Sequence, residues 1–280
     1  MTKILSDILY KCPVREIIGE VSRPINNLHF DSRQCKAGDV FIAIKGSKTD
    51  GHDYIDQVLK KDVAVVICEK LPQKIDSSVV YVKVENAAYT LAVAAGNYYD
   101  NPSRKLQLVG VTGTNGKTTI ASLLYALFSD LGYACGLFST IENKINGKVF
   151  PATHTTPDPL QINALLSQMA DKGCQYAFME VSSHAVAQFR VAGLTFAGGI
   201  FTNLTHDHLD YHGDFQSYRD AKKAFFDWLP KTAFALINTD DKNGQFMIQN
   251  TKAASYSYSL LKAADYRAKI LENSFEGLLL

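Results

Sequence analysis

The chain has 280 residues, enough for one large domain or two ordinary ones, and 46% hydrophobic with 20% charged residues suits a globular protein that buries a real core. With 29 basic against 28 acidic residues the net charge is +1, so no basic face is implied and nucleic acid is excluded as a default partner. Met1-Thr2-Lys3-Ile4-Leu5-Ser6-Asp7 carries no secretory pattern, no stretch reaches the ~18 apolar residues of a membrane helix, and five scattered cysteines (Cys12, Cys35, Cys68, Cys135, Cys174) without a CxxC pair read as buried, reduced thiols in a cytoplasmic monomer.

In chain order, β-rich runs at 39–44, 63–68 and 79–84 and helical stretches at 54–61 and 86–99 make a first block. Asp100-Asn101-Pro102-Ser103-Arg104 then gathers turn residues and a proline, which places a boundary near residue 103. Beyond it the pattern alternates: strand 106–112, helix 117–131, strand 134–139, helix 160–172, strands 176–181 and 196–204, helix 214–229 and strand 233–238. Strands alternating with helices of this length predict a parallel sheet covered on both faces. Residues 273–280 stop inside an apolar run without a polar tail, which reads as truncation; a last strand pairing into a sheet is the alternative.

The sharpest signal is Val109-Gly110-Val111-Thr112-Gly113-Thr114-Asn115-Gly116-Lys117-Thr118-Thr119, set between a buried strand and an amphipathic helix. Glycines let backbone N–H groups turn inward around phosphates, and the helix N-terminus adds its positive dipole. Lys117 would reach the β/γ-phosphates and the Thr118 hydroxyl would bind Mg2+. The strict pattern G-x-x-x-x-G-K-[ST] asks for glycine where Val111 stands, and Gly113 is the glycine inside the loop instead. A plain glycine-rich turn would leave little use for a lysine directly after Gly116, so an ATP site is the inference.

Two more strand ends carry chemistry. Met179-Glu180-Val181-Ser182-Ser183-His184 puts a carboxylate at a parallel-strand tip, where it points into the ligand crevice; an edge glutamate in water is the alternative. Phe201-Thr202-Asn203-Leu204-Thr205-His206-Asp207-His208-Leu209-Asp210-Tyr211-His212 is dense enough in histidine and aspartate to suggest metal. A binuclear metallo-hydrolase with an H-x-H-x-D-H run is a rival, but the run fails at Tyr211 and leaves the phosphate loop unexplained. His206 and His212 read as solvated loop histidines. Lys222 and Lys223, adjacent in a helix, would ordinarily both be solvated.

The run from Gly113 to Thr119 resembles the phosphate loop of the Mur ligases and the related folylpolyglutamate synthetases. These enzymes phosphorylate a substrate carboxylate with ATP, and an amine then displaces phosphate. The resemblance implies ATP binding by Gly113, Thr114, Asn115, Gly116, Lys117, Thr118 and Thr119. The segment after Phe201 is similar to the family's Asn-Leu-x-x-Asp-His-Leu-Asp stretch, which implies His208 as a ligand of a second magnesium. Lys222 matches the family's lysine carbamylated by CO2, which implies a further ligand there. The implied catalytic set is Lys117, Glu180, His208 and Lys222, with Thr118, Glu180, His208 and Lys222 holding two Mg2+ ions.

Phe30-Asp31-Ser32-Arg33, Gly38-Asp39-Val40-Phe41-Ile42-Ala43, Gly46 and Asp50-Gly51 are similar to the family's uridine-binding domain, although alone they read equally well as turns. Matching positions imply that Phe30, Ser32, Ser47, Lys48 and Thr49 contact the uracil end of a nucleotide sugar. Glu180-Val181-Ser182-Ser183-His184 followed by Gln188-Phe189-Arg190 resembles the tripeptide-forming branch more than the pentapeptide-forming one. That implies Thr155, Thr156, Ser182, Gln188 and Arg190 around a muramoyl dipeptide, with Arg190 suited to a carboxylate.

The expectation is therefore an α/β chain: an N-terminal mixed α/β uridine-binding domain over 1–103, then a P-loop ATPase-like parallel-sheet domain over 104–280, incomplete at its end and lacking a C-terminal ligase domain. The implied activity is ATP-dependent addition of meso-diaminopimelate or L-lysine to UDP-N-acetylmuramoyl-L-alanyl-D-glutamate, through an acyl phosphate, in peptidoglycan synthesis. A chain ending at residue 280 is expected to bind ligands without turning over. A folylpolyglutamate synthetase-like ligase and a non-catalytic P-loop module are the alternatives.

Overall fold

A computed structural model describes residues 3–46, 49–152, 154–205, 207, 209–274 and 277–279. Its contacts divide the chain into two compact units. The first holds Met1–Pro102, Asp158–Ala164 and Gln188–Leu194; the second holds Ser103–Pro157, Leu165–Ala187 and Thr195–Leu280. Two short segments from beyond residue 103 thus group with the first unit. Among the described residues no helix is long and apolar enough to cross a membrane.

In the first unit a small pair, β1 (Lys3–Ile4) and β3 (Pro24–Ile25), lies beside helix α1 (Leu5–Ile8). The main sheet has five strands: β2 (Val14–Ile18), β4 (Leu28–His29), β5 (Val40–Ile42), β6 (Val65–Cys68) and β7 (Val80–Val84), in the order β2-β7-β6-β5-β4. All neighbours are parallel except β2, which runs antiparallel to β7. Alternation sorts the residues: Val40, Ile42, Val65, Ile67, Val80 and Val82 enter one core cluster, while Phe41, Val66, Cys68 and Tyr81 enter another on the opposite face. Such doubly buried strands read as continuous apolar runs.

The sequence places a helix over 54–61; a 3-10 turn (Gly51–Tyr54) comes first, and α2 covers only Ile55–Leu59. Asp50 caps that turn by accepting from the His52 N–H. Helix α3 (Ala87–Tyr98) begins where Asn86 Oδ1 accepts from the Tyr89 N–H at 2.7 Å, and Glu69 accepts from the Ala87 N–H.

The second unit carries a nine-stranded sheet: β8 (Gln107–Thr112), β9 (Cys135–Phe138), β10 (Glu142–Ile145), β11 (Lys148–Pro151), β12 (Tyr176–Glu180), β13 (Gly198–Phe201), β14 (Phe234–Asn238), β15 (Ala254–Ser259) and β16 (Tyr266–Arg267). The order is β11-β10-β9-β12-β8-β13-β14-β15-β16, parallel from β9 to β16. To this parallel sheet one edge adds an antiparallel hairpin, in which β10 pairs with β9 and with β11. Ile145 faces Lys148 across Asn146-Gly147, both with positive φ, which is the primed two-residue turn that matches strand twist.

Helix α4 (Lys117–Asp130) covers one face, packing Ile120, Leu124, Tyr125 and Phe128 against Val109, Val111, Leu137 and Phe178. The remaining helices are α5 (Pro159–Asp171), α6 (Ser183–Ala187), α7 (Leu209–His212), α8 (Phe215–Asp227) and α9 (Gly244–Met247). After β8 the chain goes to one side of it for β9 and β12, then to the other for β13 and β14. The tips of β8, β12 and β13 therefore meet at a reversal of strand order, where open α/β sheets form a ligand crevice.

Candidate active site

The phosphate-loop candidate leaves β8 at Thr112 and enters α4 at Lys117. Gly116, the helix N-cap, has φ +84°, and Gly113 has φ +151°. A Cβ on Gly113 would collide with Thr202 Oγ1 and lie 3.0 Å from the Asn203 backbone. That intimacy reflects a clasp from the segment after β13. Asn203 O accepts from the Thr114 N–H at 2.8 Å, and Asn203 Oδ1 accepts from the Asn115 N–H at 3.0 Å. Thr202 Oγ1 and Asn203 Nδ2 donate to the Asn115 carbonyl. This is why β13 stops at Phe201 and does not run on to residue 204 as expected: from Thr202 the chain spends its polar groups on the loop. The first N–H groups of α4 have no partner within the helix and suit a phosphate.

Lys117 and Lys222 both donate to the Gly113 carbonyl, at 3.0 and 2.7 Å, and Lys117 donates also to the Thr114 carbonyl. Lys222 is 1% exposed, its Nζ 4.7 Å from the centre of the Tyr218 ring. Burial pushes its pKa well below the usual lysine value; the Lys117 charge adds to that and Asp207 opposes it. Lys117 is lowered by burial as well, against the pull of Glu180 and Asp207. Lys223 points elsewhere, forming an i,i+4 ion pair with Asp227 at 2.7 Å. Neither lysine is the solvated helix residue that adjacent lysines ordinarily make.

Glu180, at the tip of β12, is fully buried. Its Oε2 accepts from the Thr118 hydroxyl at 2.9 Å and from the Thr140 hydroxyl at 3.2 Å; its Oε1 accepts from the Thr140 N–H at 2.6 Å. Thr118 Oγ1 and the Glu180 carboxylate are hard oxygen donors side by side at the mouth of the loop, a set that fits Mg2+. His208, the third expected ligand, lies outside the described residues, and no cluster of three or more His, Cys, Asp or Glu forms among those described.

Around Glu180 the structure gathers part of the expected dipeptide set. The Thr156 hydroxyl donates to the Glu180 carbonyl at 2.7 Å and lies 3.4 Å from Ser182 Oγ, while Thr155 Oγ1 accepts from the Thr140 hydroxyl at 3.1 Å. Gln188 and Arg190 belong to the first unit, where the Arg190 guanidinium donates to Gln188 Oε1 at 2.6 Å. His212 departs from the solvated reading: it is half-buried, 3.0 Å from Ser183 Oγ, with its ring against those of His184 and Tyr218.

In the first unit Phe30 is exposed and Ser32 is buried, its hydroxyl 3.5 Å from Gln57 Oε1. Thr49 is exposed and its carbonyl accepts from the Gly46 N–H; Ser47 and Lys48 lie outside the described residues. Asp31 accepts from both the guanidinium and the backbone N–H of Arg33, and Asp50 organises its own turn, so these motif aspartates do local structural work. Sequence reasoning missed Thr140 and Tyr218. Thr140 sits in no motif. Tyr218, whose hydroxyl lies 2.9 Å from Thr114 Oγ1, is one helical turn before Lys222, a spacing that could have exposed it.

A family model described as the Mur ligase middle domain matches residues 111–280, and another described as Mur ligase family, catalytic domain, matches residues 24–107. A Phocaeicola vulgatus protein named UDP-N-acetylmuramoyl-L-alanyl-D-glutamate--2,6-diaminopimelate ligase is 54% identical, over 99% of this chain and 57% of its own length. A Clostridium acetobutylicum protein with the same name, numbered 1, is 39% identical over 99% of this chain and 56% of its own. A solved structure of a ligase of that name has a TM-score of 0.80 at 29% identity, covering 95% of this chain and 54% of that one. The chain spans a little over half the length of these relatives. Because the middle-domain model alone covers more than half of its residues, the chain belongs to the Mur ligase family.

Proposed function

We propose that the chain carries the ATP and nucleotide-sugar sites of a ligase that joins meso-diaminopimelate to UDP-N-acetylmuramoyl-L-alanyl-D-glutamate, in the cytoplasm and as a monomer. One observation carries the reading. Two lysines from different helices converge on the Gly113 carbonyl, beside the hydrogen-bonded pair of Thr118 and the buried Glu180. The names of the bacterial relatives favour diaminopimelate over lysine as the added amine.

In this reading the amides of Gly116 to Thr119 and the Lys117 ammonium hold the phosphates of ATP in line with a substrate carboxylate. The carboxylate oxygen attacks the γ-phosphorus and ADP leaves; the incoming amine then attacks the acyl carbon, phosphate leaves and an amide remains. Thr118, Glu180 and His208 would hold magnesium, which when bound spreads the charge of the phosphoryl group. Lys222 supplies a further ligand after carbamylation. Burial favours its neutral amine, which can form an N–C bond to CO2 and release a proton. Thr155, Thr156, Ser182, Gln188 and Arg190 bind the muramoyl dipeptide, and Phe30, Ser32, Ser47, Lys48 and Thr49 the uracil end.

Calorimetric titration of the 280-residue chain with MgATP, the UDP-muramoyl dipeptide and a folate is the test. Binding of the first two and not the third is expected, and Lys117→Ala should remove the ATP heat. Folate binding, or ATP binding reduced less than about tenfold in Lys117→Ala, would contradict the reading.

A further inference from the structure

We propose that Thr140 is a positioning residue that couples the substrate side of this site to its metal side through one shared hydroxyl proton. This rests on the reading of Glu180 as the metal-side carboxylate and of Thr155 as a substrate contact.

Thr140 follows β9 and meets both sides at once. Its N–H fixes Glu180 Oε1 at 2.6 Å. Its hydroxyl has a single proton and two acceptors at nearly equal range, Thr155 Oγ1 at 3.1 Å and Glu180 Oε2 at 3.2 Å. The turn itself does not need that hydroxyl. Ser139 already closes it, donating to the Glu142 carbonyl at 2.7 Å and accepting from the Glu142 N–H at 3.1 Å.

Hydrogen bonds in series polarise one another. An anionic ligand that accepts from the Thr155 hydroxyl makes Thr155 Oγ1 a better acceptor, and the Thr140 proton turns toward it. Glu180 Oε2, which otherwise receives both the Thr140 and Thr118 hydroxyls, then gains a lone pair for a cation. The peptide N–H keeps the carboxylate in place meanwhile. Substrate bound at Thr155 therefore tightens metal–nucleotide at Glu180, and by linkage the nucleotide tightens substrate equally.

The experiment is titration of the 280-residue chain with magnesium and a non-hydrolysable ATP analogue, with and without saturating UDP-N-acetylmuramoyl-L-alanyl-D-glutamate. In the wild type the nucleotide sugar should raise analogue affinity on the order of fivefold or more. Thr140→Val keeps the shape and the N–H but lacks the hydroxyl, and its ratio should fall to within about twofold of one. Thr140→Ser should restore the ratio, and Thr140→Ala supplies a second hydroxyl-free variant should the valine alter folding. A wild-type ratio of one, or an undiminished ratio in both hydroxyl-free variants, overturns the proposal alone. A wild type that binds the analogue not at all overturns the ATP reading of the loop and this proposal with it.

Discussion

Lys222 and Lys223 share a helix and a residue type, yet one is directed at the Gly113 carbonyl and the other at Asp227. The sequence could not separate them without a family resemblance, because a helix turns about 100° per residue and either face was open. Burial decides the chemistry. With its folded pKa lowered, Lys222 lacks a proton that the unfolded chain still carries between that pKa and ~10.4, so stability rises with pH across the window. Lys222→Met should therefore be more stable than wild type at pH 7 in CO2-free buffer, by about 1–4 kcal/mol. The gap should close toward pH 10, which thermal unfolding at a series of pH values would measure; a parallel offset would refute the account. Added formate or acetate should partly rescue ligand binding in Lys222→Ala and leave Lys223→Ala unaffected. Of the five thiols expected to be buried, Cys35, Cys68, Cys135 and Cys174 are buried and Cys12 is half-buried. Cys12 is pushed up to about 12 and Cys35 and Cys68 to about 11, all by burial. These three thiols stay protonated at pH 8, so iodoacetamide should label them far more slowly in the native chain than in the unfolded one, as mass spectrometry would record.

At the scale of elements, runs with a clear period were legible and segments held by tertiary hydrogen bonds were not. Helix α4 and strands β6, β7, β8 and β14 fall within a residue or two of their expected bounds, because their apolar spacing alone sets them. The end of β13 was illegible, since what stops it is Asn115, far away in sequence. The β10–β11 hairpin has a local signature in Asn146-Gly147, but its short strands carry no apolar run that marks them in the sequence. Gly113 tests the packing between elements. Gly113→Ala must push Thr202 aside and strain φ +151°, so it should cost about 1–3 kcal/mol and weaken nucleotide binding. Asn86→Ala, which removes the cap of α3, should cost about 1 kcal/mol and leave nucleotide binding intact. Denaturant unfolding together with nucleotide titration distinguishes the two.

For the molecule as a whole, a cluster of turn residues and a change of rhythm place a boundary near residue 103, and the contacts divide the chain into two units. That segments 158–164 and 188–194 group with the first unit had no local signature, for membership there depends on contacts such as Phe189 against Tyr89, 100 positions apart in the chain. Hydrogen exchange can test the assignment of ligands to units. MgATP should slow exchange at the amides of 116–119, and the UDP-sugar should slow it near Phe30, Ser32 and Thr49. Protection by MgATP confined to the first unit would contradict the assignment.

The fastening of Asn115 from both sides has one more implication. If the proposed site takes a polyphosphate, a turn already held on its amide and its carbonyl has little freedom left to surrender. Capture there should resemble filling a ready mould, quick and with a small entropic penalty. Cutting Asn203 back to alanine should convert it into slower moulding around the guest.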